Sequence, residues 1–346
     1  MGDQGLKDWV RKQLSVSSEA GFDWQPLSGD ASFRRYFRCQ WQEQSYIVAF
    51  APPQTEKNHE FVALSALLKR SGIKASEVLA FDYEQGYLLQ HDLGSCLLSD
   101  VLNENSADDY YQKALAQLLQ MQKIKPSELT ALAPYDADAL QLELSYFVEW
   151  FVSKLLRYHL NEQEQYMLDA FFTELTEAAL QQPQGFVHRD YHCRNIMLDA
   201  NNELACIDFQ DALLGPLSYD VVSLLRDCYV VWPEQRVESW LYAFWQLLIQ
   251  DNVIHSNFTY DAFLVAFDLM GLQRHIKVLG VFARLSLRDE KHAYLQDLNT
   301  VVQYIRNVLS HERLNTAASQ NFHQWFEEIL MPLIKQQAWY DREATL

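Results

Sequence analysis

Residues 188–195 read HRDYHCRN, and this octapeptide packs two histidines, two arginines, an aspartate, a cysteine and an asparagine into one short stretch. Three readings compete for it: a metal site, a phosphoryl-transfer loop, or a polar loop whose aspartate merely caps a turn and pairs with Arg189 and Arg194. A metal site would use His188 and His192, four residues apart and so on one face of a helix, with Cys193 adjacent. The flanking FVHRDYHC lacks helical character, however, and no glutamate completes an HExxH pattern. Phosphoryl transfer asks for an aspartate to orient the nucleophile and accept its proton, an asparagine five residues on that reaches Mg²⁺, and a second metal-binding aspartate beyond a short hairpin. Asp190, Asn195 and Asp208 occupy those positions. The chemistry needs position more than covalent help, because two oxygen ligands on separate arms can hold the metal against the ATP phosphates.

Outward from the octapeptide, FVHRDYHCRNIML, a DANN turn and ELACIDF predict a loop followed by a hairpin of two short strands. Upstream, DWQPLSGDASFRRYFRCQW and QSYIVAF are rich in β-branched and aromatic residues and predict three strands. APPQTEKN breaks that pattern, HEFVALSALLKRSG follows at helical spacing, and ASEVLAFDYEQGYLLQHDLG predicts a second hairpin. From residue 106 the periodicity turns helical in SADDYYQKALAQLLQMQKI, LQLELSYFVEWFVSKLL and EQEQYMLDAFFTELTEAALQQ, and helices continue from Tyr219 to about Trp339. The expected fold is α+β: a β-rich lobe of residues 1–92 carrying one helix, then a mainly helical lobe of residues 93–346.

Composition narrows the partners. Lys and Arg number 28 against 46 Asp and Glu, a net charge of −18, so a surface tracking nucleic-acid phosphates would work against the average field. The five cysteines, Cys39, Cys96, Cys193, Cys206 and Cys228, are scattered with no CxxC pair, which suits a reducing compartment and a cytoplasmic location. MGDQGLKDWVRKQL reads as a short amphipathic helix without the apolar core of a signal peptide. Gly2 is followed by Leu6 where lipidation wants Ser or Thr. The longest apolar run, WLYAFWQLLI, is half of the ~20 residues that cross a bilayer, so no membrane partner is expected. A monomer or weak homodimer is expected.

HRDYHCRN with CIDFQ resembles the catalytic loop and metal-binding segment shared by the aminoglycoside phosphotransferase and choline kinase superfamily and by protein kinases. The continuation DALLGPLSYDVVSLLRD enters a helix almost at once, as in the aminoglycoside phosphotransferase branch, whereas a protein kinase would carry a long activation segment ending in Ala-Pro-Glu. Within that branch, SGDASFRRYFR, YIVAFAPP, FVHRDYHCRNIML, DFQDALLGPLSYDVVSLLRDCYVVWPEQRV and GLQRHIKVLGVFARL are similar to the anomeric N-acetylmuramate/N-acetylglucosamine kinases of cell-wall recycling, from about Gly29 to about Arg284. The resemblance implies a two-lobed protein-kinase-like fold, ATP and Mg²⁺ as cofactors, and transfer of the γ-phosphate to the C1 hydroxyl of an amino sugar. It also leaves rivals open: another small-alcohol kinase acting on an aminoglycoside or choline, or a silent nucleotide- or sugar-binding regulator.

The same resemblance implies site residues. Asp190 is the catalytic base, and Asn195 and Asp208 are metal ligands. Gln90 to Leu93, including Asp92, form the hinge that contacts adenine. His192, Arg194, Arg274 and His275 join Asp190 around the acceptor. SGDAS stands where a phosphate-covering loop would be, with Gly29 and Ser32 as its donors, although such a turn is also just a turn. The lysine expected on the third strand is absent, since its position falls at Ala49. Glu60 is placed as its helix-borne partner, and the positive charge would come from FRRYFR, by Arg34, Arg35 or Arg38. GPLSYDVV reads as structural, with Ser218 as a helix cap and Asp220 in the favourable first turn. Arg274, His275 and Lys277 in GLQRHIKVLG read either as an exposed helix face or as a basic group suited to a sugar carboxylate. Trp240 and Trp245 read as core.

Overall fold

The computed structural model describes residues 3–17, 21–27 and 33–340. Its chain divides into two compact units, one of residues 1–101 with 194–211 and one of residues 102–193 with 212–346. Compactness therefore does not follow the single border read at 92/93: the hairpin after the octapeptide belongs with the first unit, where it pairs with Cys96 and Leu97.

In the first unit β1 (Asp23–Leu27), β2 (Arg35–Trp41), β3 (Gln44–Phe50), β4 (Val78–Asp82) and β5 (Tyr87–His91) form one antiparallel sheet in the order β1-β2-β3-β5-β4. Alternation divides its faces. Phe37 and Cys39 of β2, Val48 of β3 and Leu89 of β5 are buried with Leu6 and Val10 of α1 (Gln4–Gln13), and Trp24 stacks on Phe37 at 4.8 Å. The opposite face carries Tyr36 directly across from Ala49, and Ala49 across from Leu88. The predicted helix is α2 (Asn58–Arg70). Two-residue β6 (Cys96–Leu97) pairs with β8 (Ile196–Leu198), which pairs with β9 (Leu204–Cys206). The DANN turn closes that hairpin as expected: Asp199 accepts from the backbone N–H groups of Asn201 and Glu203, both at 2.9 Å, and Asn202 takes φ 61°. Between β6 and the second unit lies the short α3 (Leu98–Val101).

The second unit is mainly helical. It contains α4 (Ala107–Gln122), α5 (Ala137–Tyr146) continued as a wider π-type turn over Phe147–Leu155, α6 (Glu162–Leu180), α7 (Ser218–Leu225), α8 (Glu234–Gln250), α9 (Tyr260–Arg288) and α10 (Leu298–Leu309). Their starts are written in the sequence: Asn161 and Glu164 form a reciprocal capping box on α6, Asp136 caps α5, and Thr259 caps α9. The 29-residue α9 is buried along most of its length, with α5, α6, α7 and α10 against it. Gly280 permits the closest of these approaches, since a Cβ there would stand 2.3 Å from the Tyr146 carbonyl carbon. Two short strands absent from the sequence reading, β7 (Gln184–Val187) and β10 (Leu213–Pro216), pair antiparallel and bracket the octapeptide's approach. No helix among the described residues is long and apolar enough to cross a membrane.

Candidate active site

The octapeptide is shared between the units, with His188–Cys193 in the second and Arg194 and Asn195 in the first. In the second unit β7 delivers the chain into a loop held by buried acids. Asp220, on α7 and fully buried, accepts the backbone N–H of His188 at 2.6 Å and of Arg189 at 3.0 Å. Asp227, just past α7 and also buried, accepts the Cys193 N–H at 3.0 Å through one oxygen and the Tyr229 N–H at 2.8 Å through the other. The Tyr191 side chain is buried and its hydroxyl donates to the Ala114 carbonyl at 2.9 Å. Arg189 sits at φ 78°, a left-handed conformation unfavourable for a residue with a Cβ, and the two bonds to Asp220 hold the backbone that leads into it.

The Arg189 side chain pairs with Glu143 of α5, which is itself buried and takes Lys277 of α9 at 2.9 Å and the Tyr135 hydroxyl. Burial works to raise the Glu143 carboxyl, and Lys277 and Arg189 more than reverse it, holding it below the ordinary range. Asp190 behaves alike. Burial would raise its carboxyl, but the charges of His192, Lys277, Arg274 and Arg189 hold it below its ordinary value. It is thus kept as a carboxylate, the state that accepts a proton or orients a hydroxyl. Asp220 goes the other way, pushed up to about 7 by burial against the pull of its two backbone donors.

Three expectations change here. Asp220 is no helix-dipole ornament, since its carboxylate holds the loop. Ser218 does not cap α7; its hydroxyl donates to Gln182 Oε1 at 2.6 Å. The basic triplet of α9 is not an exposed face either: Arg274 and His275 are buried, and Lys277 is nearly so. His275 turns into the core, its ring stacked on Tyr304 at 4.9 Å and its Nε2 3.1 Å from the Arg226 carbonyl, and burial with the nearby Arg274 charge pushes it down to about 3. It packs as a neutral ring, away from the acceptor role expected of it. His192 lies edge-on to Tyr229 at 5.2 Å. Trp240 is core, stacked on Tyr111 at 4.3 Å.

In the first unit the hairpin sets Asn195 and Asp208 at its open end, where Ile207 donates its N–H to the Asn195 carbonyl at 3.0 Å. Asp208 takes φ 66° and accepts from Gln210 Nε2 at 2.6 Å. Next to it, Phe209 is fully buried and stacks on Phe61 of α2 at 4.9 Å, and the Arg34 guanidinium lies over that same Phe61 ring at 4.7 Å. Arg34 is 4% exposed, pairs with Glu56 at 2.8 Å, and reaches Gln210 Oε1 at 3.4 Å. Burial raises the Tyr36 phenol above its ordinary value, opposed by Arg34 and seconded by Asp208 and Glu56, which places these four groups in one electrostatic neighbourhood.

The three arginines of FRRYFR therefore part company. Arg35 is half-exposed over the Phe37 and Phe50 rings and pairs with Asp3 at 3.0 Å. Arg38 is committed to Asp92, at 2.7 and 3.2 Å, and to the Gly94 carbonyl. Of the three, it is Arg34 that shares the Gln210 side chain with Asp208. Glu60 is exposed on α2, and the carboxylate that meets Arg34 is Glu56, two residues before the helix begins. In the segment expected to be the hinge, the Asp92 side chain also accepts from Ser45 at 2.5 Å, so it is occupied within its own unit, and Leu93 is buried. Gln90 is buried, its Oε1 accepting from Ser76 at 2.6 Å while its Nε2 has no hydrogen-bond partner. Arg194 is exposed. Gly29 and Ser32 lie outside the described residues.

The donor sets match the expected ligands. Two hard oxygen donors at one hairpin end suit Mg²⁺, which is held by few protein oxygens and completed by phosphate and water. Among the described residues no group of three or more His, Cys, Asp or Glu is gathered for a metal. The orphaned Gln90 amide is a buried donor of the sort a bound base would satisfy.

Residues 23–259 match the family model described as "Phosphotransferase enzyme family", so the chain belongs to that family of phosphotransferases. Among its relatives, an N-acetylmuramate/N-acetylglucosamine kinase of Pseudomonas aeruginosa is 40% identical, with 82% of this chain and 83% of that protein covered. A protein of the same name from Pseudomonas putida is 39% identical, with 89% of each covered, and one from Neisseria meningitidis is 32% identical, with 88% and 90% covered. Solved structures share the fold. An ADP-bound aminoglycoside phosphotransferase superposes with a TM-score of 0.58 at 15% identity, over 88% of this chain and 98% of that one. A choline kinase from Streptococcus pneumoniae gives 0.59 at 14% identity, over 89% and 100%. The protein-kinase-like fold expected from the sequence is the fold of this chain, and the family's reaction makes it a nucleotide-using phosphotransferase.

Proposed function

We propose that the protein is an ATP-dependent kinase that phosphorylates the anomeric C1 hydroxyl of N-acetylmuramate and N-acetylglucosamine, acting in the cytoplasm. The substrate rests on one observation, the name shared by relatives 32–40% identical over most of the chain. The chemistry rests on the residues. Asp190, kept ionised by surrounding cations, orients the sugar hydroxyl and takes its proton as the bond to phosphorus forms. Asn195 and Asp208 would hold Mg²⁺, which when bound would neutralise charge on the nucleotide phosphates. Arg34, fixed by Glu56, supplies the positive charge that a third-strand lysine would bring, and its presence makes a silent binder the weaker reading.

The test is ADP release with ATP and Mg²⁺ over N-acetylmuramate, N-acetylglucosamine, glucose, choline and kanamycin. Turnover is expected on the two N-acetylated sugars, with loss of the reducing end. Asp190→Asn should lower it at least ~10²-fold while leaving ADP binding by calorimetry in place. Turnover on kanamycin or choline instead would overturn the substrate, and a fully active Asp190→Asn would overturn the role of Asp190.

A further inference from the structure

Three arginines among the described residues are buried below a tenth of their surface: Arg34, Arg226 and Arg274. A guanidinium removed from water is tolerated when a carboxylate compensates it. Arg34 has Glu56 at 2.8 Å, and Arg226 has Asp268 at 2.8 Å and Glu234 at 2.6 Å. Arg274 has neither. It is 5% exposed, its one polar contact is Nη1 to the Cys228 sulfur at 4.0 Å, and its Nε has no hydrogen-bond partner. The neighbouring α9 cation is differently placed, since Lys277 is neutralised by Glu143 and bonded to the Tyr219 hydroxyl at 3.0 Å. Arg274 thus makes no ion pair at contact distance, and Asp190 and Asp227 act on its charge only from further off; Asp190 itself is part-exposed and so within reach of a solute.

Taking the acceptor to be an amino sugar, as proposed above, we infer that Arg274 is the anion-recognising residue of the acceptor site and pairs with the lactyl carboxylate of N-acetylmuramate. N-acetylglucosamine, which has a hydroxyl at that position, is held without this contact. Arg274 is thereby a specificity residue: besides the charge it shares with other cations around Asp190, it ranks the acidic sugar against the neutral one. The fork of a guanidinium suits a carboxylate better than the point charge of a lysine does.

The inference is tested by measuring kcat/KM for both sugars with the wild type, Arg274→Gln and Arg274→Lys. A charge-assisted hydrogen bond of this kind is worth at least about tenfold in binding. Arg274→Gln should therefore raise KM for N-acetylmuramate at least about tenfold more than KM for N-acetylglucosamine, with Arg274→Lys between, while any fall in kcat that comes through Asp190 is common to both sugars. The methyl ester of N-acetylmuramate, offered to the wild type, should show the same rise in KM, and this arm needs no variant to fold. Equal losses on both sugars would overturn the inference and make Arg274 a brace for Asp190. An ester used as well as the acid would also overturn it. Wild-type inactivity on both sugars would instead sink the amino-sugar reading, a distinguishable failure.

Discussion

Replacing Asp220 by Asn should separate stability from catalysis. In the folded protein its carboxyl is pushed up to about 7, whereas the unfolded chain holds an aspartate near about 3.9. The fold thus keeps the proton longer than the unfolded chain does, and the stability this contributes is fully present below about pH 4 and lost as pH rises through about 7. Three units at ~1.4 kcal/mol each bound that loss at about 4 kcal/mol. Asn carries no charge to bury, so the variant escapes the loss but gives up one acceptor, worth about 1–3 kcal/mol, where a backbone N–H now meets an NH₂. At about pH 5, where Asp220 holds its proton in the fold, urea unfolding should give the two proteins stabilities within about 1 kcal/mol of each other. At about pH 8 the variant should match or exceed the wild type by ~1–3 kcal/mol. Turnover should move oppositely. The loop around Arg189, at φ 78°, depends on the two bonds to ionised Asp220, and losing one should lower kcat about 10–100-fold at about pH 8. The wild type's rise in activity toward neutral pH should flatten in the variant. Turnover within about threefold of the wild type at about pH 8 would refute the anchoring role.

Other outcomes follow from the same contacts. Glu56→Gln strands the buried Arg34 and should cost about 3–5 kcal/mol in urea unfolding while weakening ADP binding, whereas exposed Glu60→Ala should change stability by less than about 0.5 kcal/mol. Equal effects of the two would refute the assignment of Glu56. Gly280→Ala should cost at least about 1–3 kcal/mol, read as a lowered denaturation midpoint, because its Cβ meets the Tyr146 backbone. Asn195→Ala should raise the Mg²⁺ concentration for half-maximal turnover at least about tenfold, and an unchanged Mg²⁺ titration would remove Asn195 from the metal.

Much of the fold was legible because local physics wrote it. Periodicity placed α2, α4, α6 and the sheet strands. The β7–β10 pair was not legible, since QGFV and LLGP are too short to show a period and become strands only by meeting each other. The acids behind the loop were harder to read. Glu143 lies on α5 between Leu140 and Phe147, on the stripe that is otherwise apolar, and an acid on a buried stripe is a signal that it has a partner. Asp220 stands in SYDVVSLL, where every residue is buried, yet its place in the first helical turn offered a sufficient surface explanation.

The sequence alone pointed to the reaction class, because HRDYHCRN with CIDF carries an aspartate, an asparagine five residues on and a second aspartate past a short hairpin, the pattern of one kind of phosphoryl-transfer site. Which arginine shares the Gln210 side chain with Asp208, which glutamate meets that arginine, and which buried arginine is left without an ion pair at contact distance were decided only in three dimensions. Arg34, Arg35 and Arg38 differ little in sequence, but the strand's alternation and the turn before α2 bury one against Glu56, expose another and commit the third to Asp92. Charge in a protein takes its meaning from burial and partners, and both are properties of residues distant along the chain.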